Sequence, residues 1–323
     1  SQRRQVRRVS KRRRMPRNPD YHEPVLASQS VQSLLENNDL SGVYVDATFG
    51  SGGHSERILE ALNEDARLIA FDRDVDASEN LLEDKRLILI EGNFSHLENY
   101  LDYLGIEEID GCVADIGVSS FQFDNMDRGF SFQSGTSLDM RMSKHSKIKT
   151  AEEIINTYEA KELQRILTEY GEVRFAKSLA REIVLSRRRV PIKTGKDLVE
   201  VAKRASGGKV KMKELAQIFQ AIRIEVNGEL DALKNLLMAC AERVREQGKV
   251  IVISYHSLED RIVKRFFMNG NFSTEPNRNE FGQLKRPFRP MNKKPIVPTD
   301  EEIQSNVRAR SAKMRIGIKE SSI

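Results

Sequence analysis

Residues 46–55 read Asp46-Ala47-Thr48-Phe49-Gly50-Ser51-Gly52-Gly53-His54-Ser55, and this decapeptide decides the fold. Before it, Gly42-Val43-Tyr44-Val45 is an apolar run of strand length; after it, Ile58-Leu59 sits on a predicted helix. Strand, glycine-rich turn and helix together bring bare backbone N–H groups up to a nucleotide-like ligand. Gly50, Gly52 and Gly53 let the chain turn sharply and remove the Cβ atoms that would hold a ligand away. The next apolar run, Arg67-Leu68-Ile69-Ala70-Phe71, ends in Asp72. An acid about 20 residues beyond such a turn suits the two hydroxyls of a ribose. The pattern predicts a site for an adenosine-containing molecule.

Three adenosine cofactors compete for it. The dinucleotide fingerprint requires a third glycine where helix meets strand, and Ser55 stands there. No Lys-Ser/Thr pair follows the glycines, so there is no P-loop, and Ser206-Gly207-Gly208-Lys209 lacks the spacing. S-adenosylmethionine carries no phosphate, only adenine, a ribose and a charged amino-acid tail. An Asp-initiated glycine loop with an acid closing the second strand matches that molecule best. A glycine-rich turn in some other α/β protein is the plain alternative.

Further motifs follow in order: HEPVL (22–26), FDRD (71–74), GNFS (92–95), ADIGVSSFQ (114–122), RGFSF (128–132) and LDMRM (138–142). YGEVRFA (170–176), FQAIRIEVN (219–227), SYHSLEDRIVKRFF (254–267) and NVRARSAKMR (306–315) complete the string. Together they resemble the RsmH (MraW) family, S-adenosylmethionine-dependent methyltransferases of small-subunit ribosomal RNA, from about His22 to Lys319. The resemblance implies methylation of the exocyclic amine of a decoding-centre cytosine in 16S rRNA, with the assembled 30S particle as partner. It implies cofactor contacts from Gly52, Gly53, His54, Asp72, Phe94, Asp115 and Gln122. One element departs from the family: Met212-Lys213-Glu214-Leu215-Ala216 replaces a His-Pro-Ala-type segment, which puts any RNA contact there in doubt.

Composition bounds the rest. A chain of 323 residues has room for two domains. No apolar run approaches the ~20 residues that span a bilayer, and no signal-peptide pattern is present, so a cytoplasmic protein is expected. Cys112 and Cys240 lie far apart in apolar surroundings and read as small buried residues. The five histidines are scattered, and no metal is indicated. Ser1 to Arg17 holds nine Lys/Arg and no acid, and Arg261 to Lys319 holds 14 bases against 5 acids, while the middle is net acidic. Positive ends suit the steering of a compact body to RNA; a solubilising arm is the alternative for the first of them. The oligomeric state is open, and a homodimer is compatible with everything above.

Short apolar runs at Val43–Val45, Leu68–Phe71, Leu87–Ile90 and Cys112–Ala114 alternate with helix-length segments, as in a parallel sheet covered on both faces. From Thr150 to Ala205 the period becomes helical, and strand character returns at Val250–Ser254. The fold class expected is α/β, a Rossmann-like class I methyltransferase sheet with an inserted helical domain. Its parts are a basic arm (1–21), a discontinuous methyltransferase domain (22–122 and 215–323) and a helical substrate-recognition insert (123–214). Asn271 to Pro298 reads as an irregular excursion, and Val307 to Ile318 as a last strand.

Methyl transfer from a sulfonium needs alignment of the acceptor and exclusion of water. Many amino-methyltransferases place an Asp/Asn-Pro-Pro-aromatic tetrad at the end of the fourth strand. Here Asp115-Ile116-Gly117-Val118 keeps only the carboxylate. Asp115 is expected to meet the cofactor or the acceptor amine, with turn capping as its alternative. Phe121 and Phe123 suit either base stacking or the core. His256 is a second candidate for the departing proton, and Ser254, Tyr255 and His256 should open onto the crevice. Glu259 and Asp260 suit helix capping as well as function. Asp139 with Arg141, and Arg308 with Arg310, suit internal pairing or RNA phosphates. A non-catalytic S-adenosylmethionine-binding assembly factor and a nicotinamide-dependent oxidoreductase are the competing functions.

Overall fold

The computed structural model of the chain describes residues 6–8, 24–73, 84–117, 135, 137–142 and 147–321. Eight strands form one sheet in the order β1-β4-β3-β2-β5-β6-β8-β7. They are β1 (Val6–Arg8), β2 (Val43–Asp46), β3 (Arg67–Asp72), β4 (Leu87–Glu91), β5 (Ile109–Asp115), β6 (Val244–Ser254), β7 (Phe288–Pro290) and β8 (Lys313–Lys319). Strands β2 to β6 run parallel, whereas β1, β8 and β7 join antiparallel. The order turns back at β2, between β3 and β5, and open α/β sheets bind ligands at the carboxyl ends of strands on either side of such a reversal.

The apolar strands are continuous because both faces of the sheet are covered. Ile69 and Phe71 of β3, with Val250 and Val252 of β6, pack to one side. There they meet Leu97 and Leu101 of the helix Leu97–Leu104, and Leu233 and Leu237 of the helix Glu229–Arg243. Leu68, Ala70, Ile251 and Ile253 face the other way, against Leu34 of the helix Ala27–Leu35 and Ile58 of the helix Gly53–Ala61. Gly111 is needed where β5 crosses Leu34: a Cβ there would lie 2.7 Å from that side chain. Cys112 and Cys240 are free, fully buried thiols that meet in this core despite their sequence separation. A hydrogen bond from Cys240, then burial, pushes the Cys112 thiol well up.

The chain divides into two compact units, Ser1–Gly117 with Asp231–Ile323, and Val118–Leu230. The second contains the helices Ala151–Thr157, Ala160–Glu169, Ala176–Arg187, Gly195–Ala205 and Met212–Asn227. Its own core includes Leu163, Ile166, Leu179, Ile183, Leu198, Ile218 and Ile222. Thr150 and Thr194 start two of these helices with capping boxes, each accepting from the N–H three residues on.

Several sequence expectations shift. Residues 215–227 pack in the helical core, so the helical unit ends later than the expected boundary at 214. Apolar residues at 3–4 spacing look alike whichever core they enter, so the pattern does not mark the boundary. Val307–Ser311 is a 3-10 helix, not the start of the last strand, and β8 begins at Lys313. The excursion 271–298 contains β7. Of the basic arm only β1 is described, as an edge strand on β4. Phe121, Gln122 and Phe123 lie outside the described residues. Among the described residues no helix is long and apolar enough to cross a membrane.

Candidate active site

β2 ends in Asp46, fully buried, and the glycine turn is built on that carboxylate. One oxygen accepts from the Thr48 N–H at 3.0 Å, and the other accepts from the Ser55 hydroxyl at 2.6 Å. Ser55 occupies the place of the fingerprint's third glycine, and this bond is its structural reason. Burial raises the Asp46 pKa, opposed by His54 and by the Ser55 and Thr48 hydrogen bonds.

The turn itself uses backbone conformations that favour glycine. Gly50 has φ +53° and Gly52 φ +80°, the latter as N-cap of the helix Gly53–Ala61. Among the described residues, a Cβ built on Gly50 would meet only the Thr48 carbonyl, at 4.0 Å. The Gly50 N–H donates to the Asp72 carboxylate at 3.0 Å, tying the loop to the end of β3. Beyond β4, the Asn93 side chain accepts from the Ser95 N–H and sets Phe94 on a 3-10 turn, half-buried. The Arg73 guanidinium lies 5.6 Å from the centre of the Phe94 ring.

At the end of β5 the Asp115 N–H donates to the Thr48 hydroxyl at 2.7 Å, so strand and glycine turn are joined directly. The Asp115 carboxylate accepts from the Gly117 N–H at 3.3 Å and from the Tyr255 hydroxyl. Burial raises its pKa, against His54, Tyr255 and Gly117, which stabilise the ionised form. Burial also raises the Tyr255 pKa, helped by the Asp115 charge, so the phenol stays protonated and donates. Gly117 is required beneath this ring: a Cβ would stand 2.6 Å from Tyr255 Cε2.

Tyr255 follows directly on β6, and its N–H donates to Glu259 at 3.0 Å. Glu259 is fully buried in the first turn of the helix Ser257–Asn269, and the N–H it holds belongs to the residue before the N-cap His256. His256 Nε2 lies 2.9 Å from the other Glu259 oxygen, although neither ring nitrogen makes a well-aligned hydrogen bond among the described residues. Asp260 is taken by Arg315, with oxygens at 2.7 and 3.2 Å from the guanidinium. Asp139 and Arg141 likewise pair with each other, at 2.6 and 2.8 Å.

The structure therefore brings Asp46, His54, Asp72 and Asp115 together around the carboxyl ends of β2, β3 and β5. Gly52 and Gly53 form the turn between them, and Phe94 follows β4. Tyr255 was expected at the crevice, but nothing in the sequence assigned it a task. Its hydroxyl reaches the Asp115 carboxylate from the residue just after β6. His54 is almost wholly buried, yet its Nε2 has no hydrogen-bond partner among the described residues. Such a nitrogen is costly unless a ligand or water completes it. The orphaned imidazole, the bare glycine backbone and the acid ending β3 fit a nucleoside carrying a polar tail, and no lysine of a P-loop is present.

The sheet that reverses at β2, with a glycine turn leading into the next helix, is Rossmann-like, and the family match makes the protein a class I methyltransferase with S-adenosylmethionine as its cofactor. More particularly, the chain belongs to the MraW methylase family, whose pattern matches residues 20–320. It is 49% identical to a Flavobacterium johnsoniae protein named ribosomal RNA small subunit methyltransferase H, over 93% of this chain and 98% of that one. Proteins of the same name from Bacteroides fragilis and Christiangramia forsetii are each 46% identical over 93% of this chain, and over 97% and 98% of their own lengths. The nicotinamide-dependent alternative falls with the family.

Proposed function

We propose that the protein methylates the exocyclic amine of a cytosine in the decoding centre of small-subunit rRNA, acting in the cytoplasm on the assembled 30S particle. The observation that carries this reading is the Asp115–Tyr255 pair at the end of β5, beside the orphaned His54. Three relatives named as small-subunit rRNA methyltransferases support the substrate class.

S-adenosylmethionine, when bound, supplies a methyl group on a positively charged sulfur. Asp72 would hold its ribose hydroxyls, Phe94 its adenine, and Gly52, Gly53 and His54 its polar groups, with Gln122 completing the set. A cytosine amine is a weak nucleophile because its lone pair is delocalised into the ring. Asp115 answers that by accepting the amine's hydrogen bond, which localises electron density on nitrogen and aligns it. Tyr255 and the Gly117 N–H keep the carboxylate oriented. His256, held against Glu259, is the second candidate to receive the proton. The helical unit serves as the substrate-recognition part.

The test is to incubate the purified chain with small ribosomal subunits and labelled S-adenosylmethionine, then to analyse the nucleosides by mass. N4-methylcytidine at a single position is expected, and its loss with Asp115→Ala. Label on another base, or on the ribose, overturns the reading.

A further inference from the structure

Residues 277–285 form a tight hairpin that contains none of the residues placed in the site above. The Asn277 N–H donates to the Asn269 carbonyl at 2.7 Å, anchoring the hairpin to the end of the helix Ser257–Asn269. The Lys285 N–H donates to Asn277 at 2.8 Å, and Arg278 pairs with Leu284 across the ladder. At the tip the Asn279 carboxamide oxygen accepts from both the Phe281 and Gln283 N–H groups, each at 3.0 Å. Gly282 turns the chain at φ +75°, and its carbonyl accepts from the Arg278 guanidinium at 2.6 Å. So many bonds for so few residues make the tip stiff. What it holds out is Phe281, a residue that is 79% exposed.

One exposed apolar side chain needs no explanation by itself. Its surroundings provide one. From Pro276 to Lys294 there are six Lys/Arg and one acid, and Arg278, Lys285, Arg289, Lys293 and Lys294 are exposed. The sixth cation, Arg286, pairs with Glu320 at 3.0 Å. Phe281 is much more exposed than the other exposed apolar residues of this stretch, Leu284 and Met291, at 38% and 40%, and along the chain it is followed by cations. Aromatic stacking beside a cationic track is how single-stranded nucleic acid is held, and each stacked base contributes substantially.

Resting on the rRNA reading above, we infer that this hairpin is a second RNA contact: Phe281 stacks on an unpaired base, and the neighbouring cations hold adjoining phosphates. Ordering of the ring costs little because the tip is rigid before binding.

The chain contains no tryptophan, so Phe281→Trp creates a single fluorescent reporter at the tip. Titration with protein-free small-subunit rRNA should quench it, and Phe281→Ala should bind that RNA about 5- to 100-fold more weakly. The slope of affinity against salt should stay that of the parent, because no charge is removed. Parental affinity in Phe281→Ala overturns the assignment. Failure of the parent itself to methylate small ribosomal subunits overturns the proposed function instead, so the two are told apart by assaying the parent alongside.

Discussion

Asp115 carries two opposed demands. Burial holds its carboxyl above the usual range, so the folded chain binds that proton more tightly than the unfolded one. As pH rises from the ordinary carboxylate value of about 4 through the raised value, the folded state is penalised progressively. Asp115→Asn removes the penalty while an amide oxygen can still accept from Tyr255 and Gly117. The variant should therefore melt above the parent at pH 7, with the gap closing below about pH 4, and should not transfer methyl groups. Scanning calorimetry at the two pH values checks this; equal melting at both would mean that the carboxylate costs the fold nothing.

At the scale of elements, the site depends on turns that begin where strands stop. Gly117, two residues beyond the end of β5, lies against the Tyr255 ring, and Gly117→Ala would drive a Cβ into that ring. The ring must shift, and its bond to Asp115 goes with it. Methyl transfer should fall on the order of 10- to 100-fold, while cofactor affinity changes little. Adding Tyr255→Phe should then cost little more, because both substitutions break one interaction. An additive double variant in steady-state kinetics would show that Tyr255 does not act through Asp115. The strands themselves were legible because their apolar runs are buried on both faces. The aromatic partner of Asp115 was not, since it comes from β6, more than a hundred residues further along the chain.

Over the whole molecule, charge is distributed unevenly. Averaging hides one region: Arg174 to Lys213 contains 13 Lys/Arg and three Asp/Glu, inside a stretch that is net acidic overall. Positive charge is thus not confined to the two ends of the chain. Deleting Ser1 to Arg17 should weaken binding to rRNA and flatten its salt dependence, by about 0.9 in log–log slope for each phosphate that the arm neutralises. Filter binding across a salt series measures it, and an unchanged slope would assign the arm no part in RNA binding. The helical unit extends further than its sequence pattern suggests for a related reason. The helix Met212–Asn227 is amphipathic, and a periodic apolar face says that a helix is buried without saying in which core.

The chain's own order of residues determined the parallel sheet, the glycine turn and the acids at its rim, because each rests on neighbours in sequence: apolar runs, glycines, and a carboxylate closing a strand. Tertiary structure alone decided that Ser55 satisfies Asp46, that Tyr255 holds Asp115, and that a buried His54 nitrogen is left without a partner among the described residues. Those outcomes depend on which distant strands lie side by side. Local patterning fixes what an element buries, but only the assembled sheet fixes what it faces.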